Sequence, residues 1–154
     1  MKRPLMFVIG LVLLSSLFII LFIPLNEPPK IDKGIVVHVN SKYYKILPNE
    51  EKYKKLSKEC INILKSINGQ YKLAITIDEL NSIKSRENYV EIAFPENTTL
   101  TTNYTIIKLK GAIFMLSGEY KGKIFTYRGK IVGVWSSDRN FDKLENMVKI
   151  YYQQ

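Results

Sequence analysis

The stretch TIIKLKGAIFMLSGEYKGKIFTYRGKIVGVW, residues 105–135, decides the fold class. It holds four hydrophobic runs of strand length, Thr105–Leu109, Ala112–Leu116, Lys123–Tyr127 and Ile131–Trp135, rich in β-branched and aromatic residues. Gly111, Gly118, Gly122 and Gly129 stand where the runs break, and Arg128-Gly129-Lys130 has the composition of a tight turn. Consecutive strands with such short links predict antiparallel pairing. Beyond them, Ser136-Ser137-Asp138 supplies helix-starting residues for a final amphipathic helix. Phe141, Leu144, Met147 or Val148, and Tyr151 share one of its faces.

Upstream, residues 96–105 read as a polar connection with two Asn-x-Ser/Thr glycosylation acceptors, Asn97 and Asn103. Tyr89–Phe94 alternates as a strand and is closed by Pro95. Thr76 and Glu79 form a capping-box pattern that starts a short helix through Ile77, Leu80 and Ile83, after a strand at Tyr71–Ile75. The clearest helix opens at Pro48-Asn49-Glu50-Glu51 and ends at Gly69, with Tyr53, Leu56, Cys60, Leu64 and Ile67 as its apolar stripe. Before it, Ile35–Val39 and Tyr43–Leu47 flank Asn40-Ser41-Lys42 as a hairpin. Residues 34–154 are thus expected to form one α+β domain, a mainly antiparallel sheet with two longer helices and one short helix.

Leu5–Ile23 is uncharged and mostly apolar; as a helix it would cover about 28 Å, close to the hydrocarbon thickness of a bilayer. The run is longer than the apolar core of a signal peptide and ends without an Ala-x-Ala pattern, so residues 1–26 are expected to be a retained single-pass transmembrane anchor. Lys2 and Arg3 favour a cytoplasmic amino terminus and an extracytoplasmic domain at the cell membrane. Pro28 and Pro29 make residues 27–33 a stiff spacer. A pilin-like subunit also begins with a hydrophobic helix, but there the helix continues into the domain, and Pro24, Pro28 and Pro29 interrupt this one.

The net charge is +9; without Lys2, Arg3 and Glu27 the chain keeps twenty-one basic against thirteen acidic residues. Anionic lipid or an acidic surface polymer is the partner this implies, with Lys30, Lys33, Lys52, Lys55 and Lys58 as candidate contacts. Arginine occurs only at 3, 86, 128 and 139 and is not interleaved with aromatics, so nucleic acid is not an expected partner. Cys60 is alone, which excludes an internal disulfide and reads as a small buried apolar residue. His38 is also alone and without ligand-spaced company, so neither a metal nor another cofactor is expected. Tyr120, Tyr127 and Trp135 are candidates for a ligand-contacting aromatic edge.

No phosphate-binding glycine loop, His-Glu-x-x-His, Cys-x-x-Cys, Gly-x-Ser-x-Gly or Ser-x-x-Lys occurs. The expected function is a binding or accessory module without catalytic residues, assisting another membrane or envelope protein. The alternatives are an envelope-acting hydrolase or transferase and a structural surface or pilin-like subunit. Extraction of membranes with alkaline carbonate is expected to leave the full-length chain in the pellet; a shortened chain in the supernatant would show that the apolar run is a removed signal.

Overall fold

Every residue of strand β1, Gly34–Val39, is buried, without the polar alternation of a strand that shows one face to water. Continuous burial of this kind requires cover on both faces. The computed structural model, which describes residues 28–152, supplies it with three layers. In the middle is a seven-stranded sheet of order β2-β1-β4-β5-β6-β7-β3, antiparallel throughout. Its other strands are β2 Lys42–Ile46, β3 Ile67–Tyr71, β4 Tyr89–Thr101, β5 Ile106–Met115, β6 Ile124–Tyr127 and β7 Ile131–Ser137. Helices α1, Glu51–Lys65, and α3, Asp142–Tyr152, cover one face, where Ile35, Val37, Val90, Ile92 and Phe114 meet Leu56, Cys60, Leu144 and Val148. Helix α2, Ile77–Arg86, covers the other, where Val36, Tyr89, Ile113 and Phe125 meet Leu80 and Ile83. The α+β, antiparallel expectation therefore describes this domain.

The chain path follows from where the helices lie. From β2 at one edge α1 carries the chain across the first face to β3 at the opposite edge, and α2 brings it back over the second face to β4 in the centre. The β1–β2 hairpin turns on Asn40 and Ser41, with φ of 50° and 60° between the paired residues Val39 and Lys42. Two left-handed residues in a row are what a primed two-residue hairpin needs. Helix α2 starts with the expected capping box: Thr76 Oγ1 accepts from the Glu79 amide at 3.2 Å, and Glu79 Oε2 accepts from the Thr76 amide at 2.7 Å.

Four boundaries differ from the sequence expectation. Gly69 does not end α1; the helix stops at Lys65 and Gly69 lies inside β3, so Ile67 belongs to a strand and residues 72–75 are not one. Gly69 sits at a register shift against β7, where a Cβ would stand 2.9 Å from Ser136 Oγ. Strand β4 runs on through Pro95 to Thr101, because β1 pairs only as far as Ala93 and the proline needs no ladder donor there. The expected polar connection is therefore mostly strand, with Thr98–Thr101 paired to Ile106–Leu109. Strand β5 passes unbroken through Gly111, and Ser136 and Ser137 end β7 rather than start α3. The expected anchor, residues 1–26, and Glu27 of the spacer lie outside the described residues; among those described no helix is long and apolar enough to cross a membrane.

A buried carboxylate ties α1 to the segment leading into α3. Glu59, 2% exposed, accepts from Arg139 Nε at 2.8 Å and from Lys143 Nζ at 2.9 Å. Burial pushes its carboxyl up, but hydrogen bonds from Lys143 and Arg139 and their charges outweigh that and hold it below the ordinary value. A carboxyl depressed in the folded state contributes stability that is present above its unfolded pKa of about 4.3 and is lost as pH falls through the folded value. Glu59→Gln is expected to cost about 1–3 kcal/mol at pH 7. In urea titrations followed by circular dichroism, its deficit relative to the wild type should shrink as pH is lowered past that range.

Candidate functional site

Helix α2 carries a lysine on its inward face. Lys84 falls one turn beyond Leu80 and two beyond Ile77, and it is buried to 7% exposure beside Ile83. Its Nζ lies 2.6 Å from Oε2 of Glu91, which points up from β4 and is 5% exposed. From β6, the Tyr127 hydroxyl donates to the other oxygen, Oε1, at 2.8 Å. Tyr127 reaches Glu91 by lying across β5 at Gly111, where a Cβ would collide with the phenol and stand 2.8 Å from the Ile92 carbonyl. The glycine is there for this close approach rather than for a turn.

The cluster extends towards β1. Lys84 Nζ sits 5.3 Å from the centre of the Tyr89 ring, and Tyr89 in turn lies 5.4 Å from the His38 ring, which stacks on Tyr43 at 4.3 Å. His38 Nδ1 is 2.6 Å from the Glu87 carbonyl; since a carbonyl only accepts, Nδ1 carries the proton. The fully buried Tyr89 hydroxyl has no hydrogen-bond partner among the described residues. Burial and the nearby Glu91 charge push the phenols of Tyr89 and Tyr127 well up. Both oxygens of Glu91 are engaged, so the cluster is a closed, charge-balanced set rather than an exposed acid or base.

Above this set opens a pocket of about 280 Å³. Ile77 and Leu80 of α2, Ile113 of β5, Ile131 of β7 and Ile31 wall it, with Lys84, Glu91 and Tyr127 at its base. Lys110 and Lys130 border it and are exposed. Neither lysine has a carboxylate within ion-pair distance among the described residues. A second hollow shares the same base and is flanked by Pro28, Pro29, Lys30 and Asp32, so the segment leading into β1 runs along the rim. A third, of about 430 Å³, lies between Leu73–Ile75 and Tyr120, with Arg86, Glu87 and Glu119 around it.

The expected aromatic edge is not brought together. Trp135 faces the α1/α3 core, 4% exposed, and its Nε1 donates to Thr126 Oγ1 at 2.8 Å. Tyr120 and Tyr127 pack on the α2 side, Tyr120 edge-on to Phe125 at 5.5 Å. The candidate lysines are also divided. Lys30 and Lys33 precede β1, and Lys30 borders the α2-side hollow, whereas Lys52, Lys55 and Lys58 ride on α1, the opposite layer. Lys52 lies over the Tyr151 and Tyr152 rings at 5.3 and 5.1 Å, and Lys55 pairs with Glu51 at 2.8 Å. Asn97 and Asn103 are both exposed, on β4 and in the turn after it. Cys60 is fully buried and burial pushes its thiol up, as an inert core residue.

The sequence analysis singles out neither Lys84 nor Glu91, both of which the fold buries. A lysine on the same helical stripe as Ile77 and Leu80, seven residues before a glutamate within an apolar strand, is the signal for a buried pair. Lys84→Met is expected to cost about 3–5 kcal/mol, because it leaves Glu91 buried without its cation. Adding Glu91→Leu should recover most of the loss, and Tyr127→Phe alone should cost about 1.5–3 kcal/mol. A double-mutant cycle on urea midpoints of the full chain measures all three.

No protein-family model, curated protein or solved structure matches this chain, so the chemistry of the site rests on its own residues.

Proposed function

We propose that the chain is a membrane-anchored, extracytoplasmic binding module that holds a small ligand in the pocket beside α2 and serves another membrane or envelope protein. The observation that carries this reading is the pocket itself: apolar walls from two layers of the domain, closing on a charge-balanced base. Such walls, with few and fixed polar groups, are those of a small-molecule site. Glu91 is held at both oxygens, by Lys84 at Oε2 and by Tyr127 at Oε1, which fixes it as part of the pocket base. The anchor and the outside location are the reading of residues 1–33 given above. The rim of the same pocket carries Pro28, Pro29 and Lys30 on its neighbouring hollow, which supports a site close to where the chain leaves the membrane.

Native mass spectrometry of the full chain, released from its membrane in mild detergent, tests the proposal. The expected result is a bound mass of ligand size that is lost in Ile131→Trp, a substitution that fills the pocket from its partly exposed wall. Absence of any bound mass in the wild type, or its persistence in the filled variant, would overturn the pocket as the seat of function.

A further inference from the structure

We infer that the pocket takes a single-tailed amphipathic anion, with its head on Lys110 and Lys130 and its tail along Ile77, Leu80, Ile113 and Ile131. This rests on the reading of the pocket as a binding site and adds the chemical class of the ligand. Three features of the lining converge on it. The interior walls are branched aliphatic, and Tyr127, whose hydroxyl is committed to Glu91, is the one aromatic in the lining. Within the lining three lysines stand against one glutamate, and that glutamate is already neutralised by Lys84 at 2.6 Å. The two remaining cations are exposed, lie at the border and have no acidic partner among the described residues. A ligand matching this distribution is negative at one end and apolar at the other.

Size and position narrow it further. A volume of about 280 Å³ stands just below the usual range for small-molecule sites, which suits one aliphatic chain rather than the two of a bilayer phospholipid. The adjoining hollow sets Lys30 against Asp32 and Lys84 against Glu91, so the excess positive charge is confined to Lys110 and Lys130 at the pocket itself. The residues between Ile23 and Gly34 reach at most about 40 Å when extended, which keeps the site within range of amphiphiles leaving a bilayer. Exposed lysines bind a carboxylate weakly, so the apolar tail supplies the larger part of the affinity and the head supplies the choice of sign.

The probe is a dodecanoate carrying a photoactivatable diazirine on its tail, applied to the full chain in nanodiscs of zwitterionic lipid, with adducts mapped by peptide mass spectrometry. Adducts are expected on the peptides that contain Leu80, Ile113 and Ile131. Labelling there should fall about tenfold in Lys110→Glu/Lys130→Glu, and a dodecyl-trimethylammonium diazirine should label the wild type weakly. Lys110→Gln/Lys130→Gln, which removes the charge without reversing it, is expected to show an intermediate loss and serves if the reversed variant loses its circular dichroism. Equal labelling by the two probes, labelling indifferent to the lysines, or adducts confined to residues 5–23 would overturn the inference. A native bound mass lost in Ile131→Trp, together with failure of the carboxylate probe, would retain the binding site and reject the anionic ligand.

Discussion

Covering both faces of one wide sheet with three helices is the constraint on which the rest of this structure depends. Seven strands at the usual spacing span about 29 Å, whereas a ten-residue helix such as α2 is only about 15 Å long. The first face receives α1 and α3 side by side, and their contact is fixed by Glu59 between Arg139 and Lys143. Among the described residues the second face receives α2 as its one helix. What the helix cannot reach is left to the segment before β1 and the loop before α2, and the three larger concavities of the domain are bordered by those two segments or by α2 itself. The pocket is thus a consequence of unequal cover, walled on one side by α2 and left open where that helix no longer reaches over the sheet.

The two buried glutamates show how differently the layers handle charge. Glu59 keeps its cations at the surface, with Arg139 and Lys143 side chains 41% and 65% exposed, so only one ion is withdrawn from water. Glu91 is paired with a lysine as deeply buried as itself, and its second oxygen is satisfied by a phenol. Desolvating both partners is offset only when geometry and hydrogen bonding are complete, and the glycine at 111 is what allows Tyr127 to complete them. A side chain there would displace the phenol and leave one oxygen of a buried carboxylate without its donor.

Element types were legible in the sequence wherever a local rule was strong, as in the capping box of Thr76 and Glu79 and the alternating or continuous apolar runs of β1, β5 and β6. The misplaced boundaries share a cause. Gly69, Pro95 and Gly111 are read locally as breaks, yet each is tolerated because of a neighbour distant in the chain: Ser136 beside Gly69, the end of β1 beside Pro95, and Tyr127 across Gly111. The candidate site was less visible for the same reason. Tyr127 stood out as an aromatic, but its partners are supplied by α2 and β4, and only the fold brings Lys84, Glu91 and Tyr127 to one place. The lysine-rich face of α1 was legible as exposed, whereas its separation from Lys30 by the thickness of the sheet was not.

The position of β3 bears on the order in which the domain assembles. Among the described residues its only strand neighbour is β7, and the link between Asn68 and Ser136 closes over 68 residues of sequence. Strands β4 to β7 form by successive hairpins, whose short loops close early and at little entropic cost. Strand β3, although made first, has nowhere to dock until that meander is finished. During synthesis from the amino terminus, its backbone has no partner strand until β7 has emerged, and the sheet is sealed at that edge last.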